Sequence, residues 1–356
     1  MSHSFLDRVM NHRPTPDFNQ LLQVLAKRAP DRPTLFEFFM NDSLYARLGG
    51  RPAVGTDRPL EWFDMYARVF RQGGYDYVNT LVPGFGFLAA ERHTAATISL
   101  NEGAVIHDRA SFDRYPWPDP GTGCSGYFER IANRVPEGMK VIAWGPGGVL
   151  ENVLSLVGFD NLCFMIADDP ELAQAVFDGV GSRLLRYYEI AAAQACVGAC
   201  ISNDDWGFKT QPMLAPADMR RYVFPWHKRI VAAVHVAGKP VILHSCGNAA
   251  EIWTDIIDDI RYDGKHSYED AISPVEQEYD RYGGRIAILG GMDLDFVVRS
   301  TPEAVYRRAR AMLERAAVRG AYALGTGNSV PEYVPSENYA AMTWAALEAR
   351  APVLTS

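Results

Sequence analysis

The chain has 356 residues, enough for one α/β barrel without calling for a second domain. Hydrophobic residues make up 48% and charged residues 22%, a balance that supports a large core, while a formal charge of −8 disfavours nucleic acid and supplies no basic patch for a membrane surface. The five cysteines, Cys124, Cys163, Cys196, Cys200 and Cys246, have no disulfide-framework spacing, residues 1–14 show no signal peptide, and no apolar run has the length of a membrane span; together these predict reduced thiols in the cytoplasm.

In chain order, residues 1–33 read as an N-terminal helical segment, with an amphipathic helix over 18–28. A buried strand over 34–40 follows and carries one odd residue, Glu37. A helix over 59–73 leads to a second strand over 75–82. The stretch 93–121 breaks this rhythm: 97–107 predicts a β-hairpin with a Gly-containing loop, and Tyr115-Pro116-Trp117-Pro118 begins a stiff aromatic loop. Both read as an insertion over the mouth of the fold.

Strand and helix then alternate. A strand over 141–144 ends in Gly145-Pro146-Gly147-Gly148, and a helix starts near Val149. Asp169 with Pro170 opens a long helix to about 195. A strand over 198–202 ends in Asn203-Asp204-Asp205-Trp206, and a helix over 217–236 follows. Strands are predicted at 240–243, 262–267, 285–289 and 321–324, and a last helix at 336–349. Eight strands, each followed by helical sequence, predict a single-domain α/β (β/α)8 TIM barrel over 34–356, with the insertion at about 93–121 after strand two.

The polar residues fall after the strands, where a barrel places its active site. The fifth strand, Val241-Ile242-Leu243, runs into His244-Ser245-Cys246-Gly247-Asn248. His244 and Cys246 stand two apart, so the pleat points both side chains one way, and an imidazole with a thiolate suits zinc. The competing reading is a core histidine beside a buried cysteine. His227 reads as structural, on an outer helix, and Asp293 and Asn328 can equally tie barrel turns to backbone amides.

The segments His244-Ser245-Cys246-Gly247-Asn248, Gly290-Gly291-Met292-Asp293 and Leu324-Gly325-Thr326-Gly327-Asn328, with the spacing on to Val334-Pro335-Ser336-Glu337-Asn338, resemble the uroporphyrinogen decarboxylase superfamily. The likeness runs from about Arg32 and is strongest from Asn203 onward. It implies a distorted (β/α)8 barrel and one of two chemistries: cofactor-free decarboxylation of a tetrapyrrole, or methyl transfer to or from a corrinoid, often with zinc. The decarboxylases carry a basic motif after the first strand, where this chain has Glu37-Phe38-Phe39-Met40-Asn41-Asp42, and a His in the turn after strand eight, where it has Thr326. They also carry an Asp after the second strand, absent from Tyr77-Val78-Asn79-Thr80. The zinc methyltransferases pair His-x-Cys with a later Cys; His244 and Cys246 match the pair, and Thr326 replaces the last ligand.

The resemblance therefore implies a methyltransferase acting between a small O- or N-methyl compound and a corrinoid (cobalamin) or a corrinoid protein, with zinc on His244 and Cys246. Asp205 is the first choice for a further ligand; His266, Glu37 and Glu151 are other donors. Asp204, Asp205 and His266 are the candidate proton donors, and Glu37, Trp144, Asn203, Trp206, Lys209, Asp293 and Asn328 the candidate substrate-binding residues. Trp117, Trp144 and Trp206 can wall an apolar pocket or simply pack in the core. The alternative is a cofactor-independent decarboxylase acting on a smaller acid with Lys209, His244 and an Asp. A third reading is a binding protein that kept the barrel.

Overall fold

The computed structural model describes residues 4–50, 52–89, 101 and 103–350. Seven strands pair in chain order, all parallel: β1 (Tyr77–Thr80), β2 (Lys140–Trp144), β3 (Val197–Asn203), β4 (Val241–His244), β5 (Gly264–His266), β6 (Ala287–Leu289) and β7 (Tyr322–Ala323). All of their residues but Lys140, Trp144 and Gly198 are buried, as a parallel sheet wrapped in helices requires.

The predicted first strand closes the curl. Leu35 bridges Leu324 in parallel, with Phe36 N–H donating to Leu324 O (2.8 Å) and Leu324 N–H to Thr34 O (2.8 Å). Its other edge has no backbone ladder to β1 among the described residues. Side chains make that seam instead. The Tyr77 hydroxyl accepts from Glu37 N–H (2.6 Å) and donates to Glu37 O (2.5 Å), while the Asn79 amide donates to Phe38 O. The fold is a (β/α)8 barrel, distorted where strands one and two meet.

Four helices frame the site and the ends of the chain: α1 (Phe5–Asn11), α2 (Val149–Val157), α3 (Pro170–Ala192) and α4 (Ser336–Glu348). Asp169 accepts from Leu172 N–H (2.9 Å) with Pro170 in the first turn of α3, the start signal seen in the sequence. Glu337 near the start of α4 accepts from Phe5 and Leu6 N–H (2.6 and 3.1 Å), tying α1 to the last helix. Among the described residues no single helix is long and apolar enough to cross a membrane.

The insertion departs from the predicted hairpin. Residues 90–100 and 102 lie outside the described residues; residues 104–107 belong to no strand. Val105 and Ile106 N–H both donate to Leu156 O (2.8 and 2.9 Å), a carbonyl in the last turn of α2 that has no intrahelical donor. A short helix, Arg109–Arg114, then precedes the aromatic loop.

Candidate metal centre

Strand register assembles the site. Asn203 pairs with His244 and His244 with His266, so the three stand abreast at the carboxyl ends of β3, β4 and β5. Beyond them the chain turns at Gly247, whose φ is +85°. A Cβ there would meet Gly207 O at 2.0 Å, so only glycine lets the loop after β4 press onto the loop after β3. Asn248 N–H donates to Phe208 O (2.8 Å) across that contact, and Cys246 N–H donates to Asp205 Oδ1 (2.9 Å).

As a result the ligand atoms of Asp205, His244 and Cys246 all lie within 4.8 Å of one another, with His244 Nε2 and Cys246 Sγ 3.8 Å apart. The edge of a tetrahedral zinc site with nitrogen and sulfur ligands is about 3.5 Å. The three donors therefore need only a small contraction to share one ion, and Asp205 and Cys246 are only half-buried.

Hydrogen bonds support each member. Cys246 Sγ accepts from the Asn328 amide (3.1 Å) and the Ser267 hydroxyl (3.5 Å). Burial, and then the nearby Asp205 carboxylate, pushes the Cys246 thiol up to about 12. His244 Nδ1 lies 2.8 Å from His266 Nδ1, and His266 Nε2 lies 3.1 Å from Thr326 O. Burial holds His244 well below its ordinary value and His266 down at about 3, so both rings are neutral at physiological pH. Lys265 donates to Ser245 O (3.2 Å) and Ser267 O (2.8 Å), joining the loops on either side of Cys246; burial lowers it to about 8.

The remaining candidates divide. Trp144 is half-buried against Phe38 (5.1 Å between centroids) and Phe39, and the Phe38 ring lies 4.6 Å from His244, so these aromatics wall the site. The Asn203 amide lies 3.5 Å from Glu151. Burial, then the charges of Asp204 and Asp205, raises Glu151 to about 8. Lys209, Asp293 and Asn328 line a neighbouring cavity of about 740 Å³ at the same end of the barrel. Asp293 is engaged there by the N–H groups of Phe296 and Asp270 (both 2.9 Å), the turn-tying role its position also allowed.

Four expectations are corrected by the geometry. Asp204 is fully buried, and its two oxygens accept from Leu150 and Glu151 N–H, Trp206 Nε1–H and His227 Nε2, leaving none for a substrate. Trp206 is buried in the core and packed edge-on against His227. His266 is wholly buried behind His244, with both nitrogens engaged. Glu37 is also wholly buried, 2.8 Å from the Thr326 hydroxyl through either carboxyl oxygen. Thr326 therefore faces Glu37, and the Asn328 amide, not a strand-eight side chain, reaches the sulfur.

Ser267 and Phe38 escaped the sequence reading. For Ser267 a signal existed: His266-Ser267 ends β5 at the register where His244-Ser245 ends β4. Phe38 carried none, since an aromatic residue in an apolar run reads as core.

A family model described as Uroporphyrinogen decarboxylase (URO-D) matches residues 105–349. The uroporphyrinogen decarboxylase of Syntrophotalea carbinolica is 27% identical over 171 residues, 48% of this chain and 47% of that protein. The uroporphyrinogen decarboxylase of an Anaeromyxobacter species is 27% identical over 185 residues, 52% and 50% of the two chains. This chain thus spans about half the length of the curated relatives it matches. A solved structure described as a methyltransferase from Methanosarcina mazei superposes with a TM-score of 0.69, covering 93% of this chain and 98% of that one at 16% identity, a likeness of fold.

Proposed function

The chain belongs to the uroporphyrinogen decarboxylase family, a family of enzymes, and from that premise we propose that it is a zinc-assisted methyltransferase working between a small O- or N-methylated compound and a corrinoid, bound directly or carried by a partner protein. The observation that carries this reading is the convergence of Asp205, His244 and Cys246. A neutral imidazole, a thiol and a carboxylate, with two of the three half-exposed, are a donor set that fits zinc and leaves a position open. Bound there, zinc supplies a Lewis acid to a methylated heteroatom, and the corrinoid supplies the methyl acceptor.

The protein's own groups have separable tasks. His244, Cys246 and Asp205 hold the ion, and Asn328 and Ser267 hold the sulfur in place. Phe38, Phe39 and Trp144 keep water from the side of His244. Glu151, raised to about 8, retains a proton near neutrality and is placed by Gly148 N–H (2.8 Å) to give it to a leaving oxygen or nitrogen. Of the expected proton donors, Asp205 is taken up as a ligand and Asp204 and His266 are buried and fully bonded, so Glu151 has that task.

The names of the curated relatives favour the second reading, decarboxylation. Charge argues against a polyanionic substrate: Glu269, Asp270, Asp293 and Asp295 outnumber Lys209 and Arg299 in the mouth cavity. Two measurements separate the readings. The purified protein is expected to hold about one equivalent of zinc, absent from His244→Ala and Cys246→Ala, and to form methylcobalamin from cob(I)alamin with a methylated donor, followed by absorption. Protein that stays metal-free after zinc exposure, and that releases CO₂ from acids without any methylcobalamin, would replace this proposal with the decarboxylase.

A further inference from the structure

The donor–acceptor chain behind His244 runs in one direction only. Thr326 O is a carbonyl and can only accept, so the 3.1 Å contact from His266 Nε2 requires the proton on that nitrogen. In a neutral ring His266 Nδ1 is then a lone pair, and its 2.8 Å contact with His244 Nδ1 requires the proton on the His244 side. His244 Nε2 is left as a lone pair, and it is this nitrogen that lies 3.8 Å from Cys246 Sγ. Among the described residues the His266 ring otherwise meets Phe36 at 5.1 Å and Gly290, neither of which brings a competing donor to Nδ1.

We infer that His266 is a positioning residue that sets the tautomer of His244 from the Thr326 carbonyl, presenting Nε2 and withholding Nδ1 as the metal-binding atom. This deepens the metal-centre reading and rests on it for its purpose, though the tautomer itself can be read in metal-free protein. A neutral imidazole free in water distributes its proton between both nitrogens. Here a backbone carbonyl, which no side-chain substitution can remove, decides the outcome two rings away. The outer hydrogen-bond partner of a metal-ligating histidine characteristically contributes 10- to 100-fold in affinity.

The experiment uses the full chain. In metal-free protein with ¹⁵N-labelled histidine, long-range ¹H–¹⁵N correlation is expected to show His244 protonated at Nδ1 and His266 at Nε2. A spectrum with His244 protonated at Nε2 would overturn the inference. Two substitutions then separate positioning from packing. In His266→Asn the amide oxygen replaces the Nδ1 acceptor; in His266→Gln the amide nitrogen replaces the Nε2 donor and the acceptor is lost. With Co²⁺ as the probe, followed by its thiolate charge-transfer absorption, the Asn variant is expected to bind within about threefold of the wild type and the Gln variant 10- to 100-fold more weakly. Equal losses in both, at equal thermal stability, would make His266 a packing residue and overturn the proposal. A wild type with the stated tautomers that nevertheless binds no Co²⁺ would sink the metal centre and leave the tautomer relay standing, so the two failures are distinguishable.

Discussion

Cys246 carries a proton that any metal ion must displace. Burial raises its thiol to about 12, so the metal-free protein is a thiol throughout the neutral range. Binding as thiolate releases one proton. Zinc affinity is therefore expected to rise about tenfold per pH unit between pH 6.5 and 8.5, as titration calorimetry in two buffers of different ionisation enthalpy can check. In Cys246→Asp, whose carboxylate is already ionised there, that slope should vanish. Glu37 makes the opposite kind of statement. The Thr326 hydroxyl has one proton and three acceptors around it, the two Glu37 oxygens and Asn328 O at 2.6 Å. Both contacts are satisfied when the carboxyl is protonated and donates to the hydroxyl, in keeping with the burial that raises Glu37 from 4.5 to about 8. Because the folded value is the raised one, this contribution to stability is whole below 4.5 and disappears as pH rises through 8. Glu37→Gln keeps the donor and removes the titration, so the Tm difference between variant and wild type should move in the variant's favour from pH 5 to 8. The His-x-Cys pair was legible from spacing alone. Its third partner, Asp205, was the first choice among several donors and no more than that, because the side chains that meet there come from segments about 40 residues apart, brought together by a glycine contact no local pattern encodes.

At the scale of elements, Asp204 fastens α2 to the end of β3. Its carboxylate takes the N–H groups of Leu150 and Glu151 (both 2.9 Å), two of the unpaired donors of the first turn, and the His227 and Trp206 rings from below (2.8 and 2.9 Å). Gly148 must be glycine for this approach, since a Cβ would meet Asp204 Cβ at 2.1 Å. Asp204→Asn puts an amide NH₂ against donors and is expected to lower stability by about 3 kcal/mol in urea unfolding. A loss below about 0.5 kcal/mol would show that the carboxylate is dispensable to the scaffold. The strands themselves were readable, because short apolar runs closed by Gly and Asn leave few alternatives. The helix start at Asp169 before Pro170 was readable for the same local reason. Helices such as Asp42–Gly49 and Cys124–Ala132 were not, since neither begins with a strong apolar period. The predicted hairpin rested on turn residues, and its described half found a helix-end carbonyl to bond with instead of a partner strand.

For the whole molecule the decisive question is how the ring closes. Backbone hydrogen bonds join the first strand to β7, whereas among the described residues the hydrogen bonds to β1 come from the Tyr77 hydroxyl and the Asn79 amide. Tyr77→Phe strips both bonds from Glu37 and is expected to destabilise the fold by about 2–3 kcal/mol. It should also speed amide hydrogen exchange at Glu37 well beyond the increase at β4, whereas a uniform increase would mean that the seam is no weaker than the rest of the barrel. Barrel architecture could be read by counting strands. The uneven seam could not, since a tyrosine and an asparagine in a strand look like ordinary pleated-sheet residues until the barrel brings them beside an unpaired edge.

The contact between Glu37 and Thr326 spans 289 residues. At a synthesis rate of about 5–20 residues per second, Glu37 has been on the ribosome's outer side for roughly 15–60 s before its partner exists. Through that interval its carboxyl is ionised and in water, and a shorter delay, over 60 residues, holds His266 without the Thr326 carbonyl. The nascent chain can therefore complete strands and helices one after another, yet it owns no competent centre until the last of the eight is made. A chain cut short just before Thr326 is nearly complete and still lacks the carbonyl that His266 bonds to.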